Sequence, residues 1–293
     1  MSSKSISTSP ESERTGFVLV HGSWHGSWCW AKVASQLENQ GYPCVAVDLP
    51  GSGLKAVPPK SYFNRPLNSE KFATEVSCFS NISSDQFADS VIEATTQLQA
   101  LGVEKVIAVG HSMGGLPVTM AAAKAPSLFS ELVFLTAFTT VPNKPAGSYL
   151  QLPEQLQESL LGALLLADPE AIGGLRIDTS STDESYRESV KEALAADVDE
   201  SLWHAAVNMM SPDAPFSIYG EIIEFTDEYA SIGRTFIRCT KDRSLMPATQ
   251  DALIKDLNAA WPENTCKVMN MDVSHEAMFA APHELAAKLR SLV

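Results

Sequence analysis

Val106–Leu116 reads VIAVGHSMGGL, and the interpretation of this stretch decides the fold. A run of β-branched and small apolar residues passes straight into Gly110-His111-Ser112-Met113-Gly114 and then into the Ala- and Met-rich segment TMAAAKA. That succession predicts strand, sharp turn, helix. The turn carries the pattern G-x-S-x-G, in which a tight backbone lifts a serine Oγ above the end of a sheet. Glycines stand two places either side of the serine because strand and helix pass so close there that a Cβ would collide. The same kind of turn also serves as a plain connection or a phosphate cradle, so residues far from it must choose between these uses.

On the N-terminal side, Gly16–Val20 is a continuous apolar run, as expected of a buried strand. It delivers the chain to the polar, glycine-containing loop HGSWHGSW, residues 21–28. A helix is expected to about Asn39, with Trp30, Val33, Ala34 and Leu37 on one side and Gly41-Tyr42-Pro43 as its stop. A second strand, Cys44–Asp48, completes the strand-helix-strand unit of a parallel sheet. Residues 54–82 then lose all periodicity and are longer than most connections, which marks a flap or an ordered excursion. Order resumes at Ser83 and Gln86, spaced as a capping box before a helix carrying Phe87, Val91, Ala94, Leu98 and Leu101.

Beyond the central stretch, Leu132–Thr136 is a further strand, and residues 138–230 are helical in period but punctuated by Pro142, Pro145, Pro153, Pro169, Pro212 and Pro215. They are expected to form a helical cap over the sheet edge. Strands at Thr235–Cys239 and Lys267–Met271, a helix at Pro247–Ala260 and a closing helix from Pro282 follow. The expectation is an α/β fold with a mostly parallel sheet of about six strands. It comprises a loose tail at 1–15, a core at 16–137 and 231–293, and a helical cap at 138–230 inserted before the penultimate strand.

Composition excludes several classes. The 293 residues are 45% hydrophobic and 19% charged with net charge −14, which suits a globular chain and opposes nucleic-acid binding, since phosphates attract lysine and arginine clusters. No run approaches the ~18 apolar residues of a membrane span. The five cysteines are scattered without a C-x-x-C pair, so neither a disulfide framework nor a zinc site is indicated, and no metal or cofactor is expected. Residues 1–15 lack the apolar centre of a secretory signal, and the expected location is the cytoplasm. Neither nucleic acid nor a membrane is an expected partner, and at most a second copy of the chain is.

A serine hydroxyl needs an imidazole to accept its proton, and the imidazole needs a carboxylate to hold its tautomer. Ser112, Asp242 and His275 occur in that chain order, and the latter two each follow a predicted strand, so all three lie at one rim of the sheet. Of the other histidines, His21 and His25 belong to the first loop, His111 to the central turn, His204 to the cap and His283 to a helix start. Asp272 and Glu276 stand too near His275 in sequence to reach it from across the rim, and residues 137–140 offer no carboxylate. Backbone N–H groups of Ser23, after the first strand, and Met113, after the serine, are candidates for holding a developing oxyanion.

The motifs HGSWHGSWCW, VDLPGSG, VGHSMGG, CTKD and SHEAMFAAPHEL, in order from about residue 16 to the end, resemble the α/β-hydrolase superfamily. They most resemble the branch of plant methylesterases and hydroxynitrile lyases with their bacterial relatives. The resemblance implies Ser112 as nucleophile, Asp242 as acid, His275 as base, and Ser23 and Met113 at the oxyanion positions, without a cofactor. The lyases of that branch resemble one another in a threonine after the first motif histidine and a lysine after the catalytic one. Here Gly22 and Glu276 stand in those places, and a carboxylate beside the base repels cyanide, which leans towards ester hydrolysis. The expected substrate is a small apolar or aromatic carboxylic ester, met by Trp24, Trp28, Phe138, Trp203 and Met246. Cyanohydrin or C–C cleavage on the same residues, and ligand reception on a hydrolase scaffold, are the alternatives.

Overall fold

A computed structural model describes residues 13–293. Six strands form one parallel sheet: β1 (Thr15–Val20), β2 (Cys44–Val47), β3 (Lys105–His111), β4 (Glu131–Leu135), β7 (Gly233–Cys239) and β8 (Lys267–Met271), in the spatial order β2-β1-β3-β4-β7-β8. Strands covered on both faces must be apolar throughout rather than alternating. Accordingly every residue of β1 is buried, as is every residue of β3 after Lys105. Helices Ala31–Glu38 and Pro282–Arg290 pack together, and Ser84–Ala100 packs with Gly115–Lys124. Strand order reverses between β1 and β3, the place where parallel α/β sheets open a crevice at their carboxyl ends.

Most of the expected tail lies outside the described residues. Within it, Arg14 donates to the Leu101 carbonyl at 2.6 Å and Thr15 already belongs to β1, so the chain is held from residue 13 onward. Residues 54–82 are an ordered excursion built from short 3-10 turns and the helix Ser69–Thr74.

The insertion between β4 and β7 contains the short helices that the period implies, such as Glu184–Leu194 and Glu200–Val207, but it is not wholly helical. Two three-residue strands, β5 (Gly174–Arg176) and β6 (Asp213–Pro215), pair antiparallel with Arg176 opposite Asp213. Their facing side chains form a bidentate ion pair, Nε to Oδ1 and Nη2 to Oδ2 each at 2.7 Å, with both residues buried. The guanidinium also donates to the carbonyls of Phe72 and Glu75, and the Ser77 amide donates to the Ile172 carbonyl at 2.9 Å. Insertion and excursion are thereby tied to each other. Strands this short carry no readable alternation, so only their pairing reveals them.

Candidate active site

Ser112 sits where β3 turns into helix Gly115–Lys124, and its φ of +52° is a conformation that a non-glycine residue adopts at some cost. The glycines around it make that turn feasible. A Cβ on Gly110 would lie 2.6 Å from the Gly114 carbonyl oxygen, one on Gly114 2.4 Å from that of His21, and one on Gly115 2.1 Å from that of Phe138. Strand, turn and neighbouring loops are in backbone contact here, which forces the serine side chain outward at the sheet rim.

His275 follows β8 and Asp242 follows β7, neighbouring strands in the sheet. The imidazole Nδ1 donates to Asp242 Oδ2 at 2.6 Å. The carboxylate is fully engaged: Thr136 Oγ1 donates to Oδ2 at 2.5 Å, and the amides of Ser244 and Leu245 donate to Oδ1 at 2.7 and 2.9 Å. Thr136 is itself at a positive φ of +35° just past β4, so a third strand end contributes to holding the Asp242 carboxylate. With Nδ1–H committed, the neutral ring has its lone pair on Nε2. Burial works against protonating the ring, but the charge and hydrogen bond of Asp242, with Glu276 adding to them, outweigh it and raise the His275 pKa above 6.5. Asp272 is exposed and engaged elsewhere, with Lys241 Nζ at 2.8 Å and Thr240 Oγ1 at 2.7 Å.

The other buried histidines differ. His21 donates from Nδ1 to the Gly22 carbonyl and accepts at Nε2 from the Leu49 amide, which makes it neutral, and burial brings its pKa down to about 4. His111 donates from Nε2 to the His275 carbonyl at 3.1 Å, and burial, followed by the neighbouring imidazoles, pushes its pKa well below the usual value. His25 donates from Nδ1 to the Ser23 carbonyl at 2.7 Å. Its Nε2 lies 3.6 Å from Glu276 Oε1, with both side chains buried.

Ser112, His275 and Glu276 face one enclosed cavity of about 10 Å³, room for roughly one water molecule. Ser23, Trp24 and Phe138 line it from the loops after β1 and β4, whereas Leu161, Leu194 and Tyr219 close it from the insertion. Met113 is buried and follows Ser112 directly in the turn. Trp24 is held at φ +64° with its indole N–H on the Leu175 carbonyl at 2.9 Å, so β5 buttresses this wall.

Three expected pocket residues lie outside the lining. Trp28 stacks on His25 and Phe279, with ring centroids 5.3 and 6.0 Å apart. Trp203 is buried within helix Glu200–Val207, and Met246 precedes helix Pro247–Ala260 with its amide on Gln155 Oε1 at 3.0 Å. Sequence reasoning missed Tyr219, Leu161 and Leu194, which carry no local signal beyond being apolar. In sequence Thr136 reads only as the end of a strand. A Cβ on Gly22 would lie 2.8 Å from His111 Nδ1 and 2.9 Å from Ser112 Cβ, so nothing larger than glycine fits there unless the turn moves.

Chemically, the arrangement offers a serine hydroxyl, a carboxylate-held imidazole and two loop backbones around a narrow cavity. Among the described residues, His111, His275 and Glu276 are the one group whose nitrogen and oxygen atoms gather closely enough, within 4.8 Å, to hold an ion. No helix among them is long and apolar enough to cross a membrane. Residues 17–288 match the alpha/beta hydrolase family. The chain is 30% identical to methylesterase 1 of Arabidopsis thaliana over 95% of each protein, and 28% identical to methyl jasmonate esterase 1 of Vitis vinifera over 97% of this chain and 98% of that one. Among solved structures it resembles a pyrethroid hydrolase from Sphingobium faniae JZ-2, with a TM-score of 0.70 at 19% identity over 95% and 96% of the two chains. It also resembles the Arabidopsis methylesterase MES16, with a TM-score of 0.65 at 23% identity over 95% and 98%.

Proposed function

The chain belongs to the alpha/beta hydrolase family, and on that premise we propose that it is a serine carboxylesterase cleaving the ester of a small molecule through an acyl-enzyme on Ser112. The observation that carries this reading is the 2.6 Å hydrogen bond from His275 to Asp242 behind a ring that shares its cavity with Ser112. The methylesterase names of the relatives support it.

In this mechanism His275 Nε2 takes the Ser112 proton as Oγ attacks the carbonyl, and the amides of Ser23 and Met113 receive the developing oxyanion. His275 then protonates the leaving alcohol. A water activated by the same nitrogen releases the acid and restores Ser112. Asp242 stays ionised throughout, steadied by its hydroxyl and amide donors. Since the enclosed space holds about one water, an ester enters only when the insertion side, Leu161, Leu194 and Tyr219, draws back. The insertion thus serves as a cap. The tight fit at Gly22 disfavours the lyase alternative, because a threonine there would press on Ser112 itself.

The test is a panel of methyl and aryl esters assayed with wild type and Ser112→Ala. The variant should lose on the order of 10⁶ in kcat with its unfolding curve unchanged, and a fluorophosphonate should add one adduct to wild type at Ser112. Near-wild-type turnover by Ser112→Ala overturns the proposal.

A further inference from the structure

Two residues that line the cavity carry side-chain hydrogen-bond acceptors that no group among the described residues satisfies. His111 spends its ring N–H on the His275 carbonyl, so Nδ1 presents a bare lone pair, and that atom is buried without a partner. Glu276 is 1% exposed, and its Oε2 is likewise buried without a partner. Both residues line the cavity that Ser112 and His275 share. The other carboxylate oxygen, Oε1, faces His25 Nε2 at 3.6 Å. His25 commits Nδ1–H to the Ser23 carbonyl, and the 3.6 Å approach of its Nε2 is too long to be a hydrogen bond to Glu276.

Buried acceptors left unpaired are costly, and a site that contains them discriminates against ligands that cannot donate to them. An apolar ester that fills the cavity would displace water and leave both atoms orphaned. An ester carrying a hydroxyl would satisfy one of them. Position narrows the choice further. Glu276 adjoins the base in the chain, and polar atoms of His111, His275 and Glu276 lie within 4.8 Å of one another. His275 must itself reach the ester oxygens, so a donor able to meet Glu276 lies within a bond or two of the carbonyl carbon.

We infer that Glu276, with His111 beside it, is a specificity-determining subsite that accepts a hydrogen bond from substrate and selects 2-hydroxy esters. The inference rests on the esterase reading and names the substrate class of that site.

The experiment compares methyl mandelate with methyl 2-phenylpropanoate, in which a methyl group replaces the hydroxyl, in wild type, Glu276→Leu and Glu276→Gln. The ratio of kcat/KM for the two esters in Glu276→Leu supplies their intrinsic difference in reactivity. In wild type that ratio should be roughly 10- to 100-fold higher. Glu276→Gln, which can turn its amide N–H₂ to His25 and keep an oxygen towards the cavity, should retain most of the preference. A ratio that is the same in wild type and Glu276→Leu overturns the inference. A second arm needs no variant at position 276: calorimetry on Ser112→Ala should find mandelate bound more tightly than 2-phenylpropanoate by a similar factor, and equal binding overturns the inference. If neither ester is hydrolysed but mandelate is still preferred, the esterase reading fails and the subsite stands. Micromolar inhibition by Zn²⁺ that disappears in Glu276→Leu, without any hydroxyl preference, assigns the cluster to a cation and overturns it.

Discussion

The sheet rim and the insertion hold their halves of the cavity in different ways. At the rim, Ser112, Asp242 and His275 each stand just past a parallel strand, and the register of β3, β4, β7 and β8 sets their spacing before any side chain is chosen. In the insertion the regular pieces are short, and the wall depends on side chains: the Arg176–Asp213 pair aligns β5 with β6, and β5 in turn receives the indole of Trp24. A rim built on backbone pairing is insensitive to most single substitutions yet exacting about a few side chains. A wall built on a buried ion pair is one substitution from coming loose.

After Ser112→Ala, Asp242→Asn should produce the largest effect, because it leaves the rim in place and removes only the tautomer control of His275. A fall of about 10⁴ in kcat is expected, measured on any ester turned over by wild type, while Asp272→Asn should leave kcat nearly unchanged. If the Asp272 variant loses more, the acid is misassigned and the rim is not organised by strand ends alone.

Arg176→Met should come next, acting on the insertion and not on the sheet. Leaving Asp213 buried and uncompensated costs about 3–5 kcal/mol. Hydrogen exchange should quicken at 174–176 and 213–215 while β1, β3 and β4 keep their protection. Replacing Asp213 with leucine in the same protein should recover most of the loss. Uniform loss of protection across sheet and insertion would show that the two regions are one cooperative unit.

Acid should produce the smallest and most graded effect. His21, with its pKa brought down to about 4 by burial, binds its proton less readily folded than unfolded. Stability is therefore lost as pH falls from about 6.5 towards 4, on the order of 3 kcal/mol in full. His111 acts in the same direction. His275 has the opposite sign: its raised pKa adds stability that is present below 6.5 and is lost as pH rises through the folded value. Urea unfolding at pH 7.5 and pH 5 should show the net decline, flattened in His21→Gln. The pH dependence of activity follows the base at the rim, and kcat/KM should fall on acidification through a value above 6.5, the raised pKa of His275. An acid limb at or below 6.5 contradicts the contact with Asp242 outweighing burial at His275.

Periodicity reports one face of a regular element, and so the parallel strands and the longer helices were legible from the residues. Helix Pro247–Ala260 and strand Lys267–Met271 have their expected ends. The order of Ser112, Asp242 and His275 along the chain was legible too, since each adjoins a readable strand. The three-residue strands β5 and β6 were not, because a segment that short has no period to read. Trp28, Trp203 and Met246 were expected at the pocket because large apolar residues near a site look alike in sequence, and their direction is set by packing partners far along the chain.

The chain by itself therefore determined the layered α/β architecture and the strand ends at which reactive side chains gather, because local hydrophobic patterning and glycine-permitted turns encode both. Only the tertiary structure decided which side chains close the cavity, how little room they leave, and that His25, His111 and Glu276 meet beside His275 with lone pairs unanswered. Those outcomes depend on distances between segments up to about 250 residues apart in the chain, which no local pattern carries.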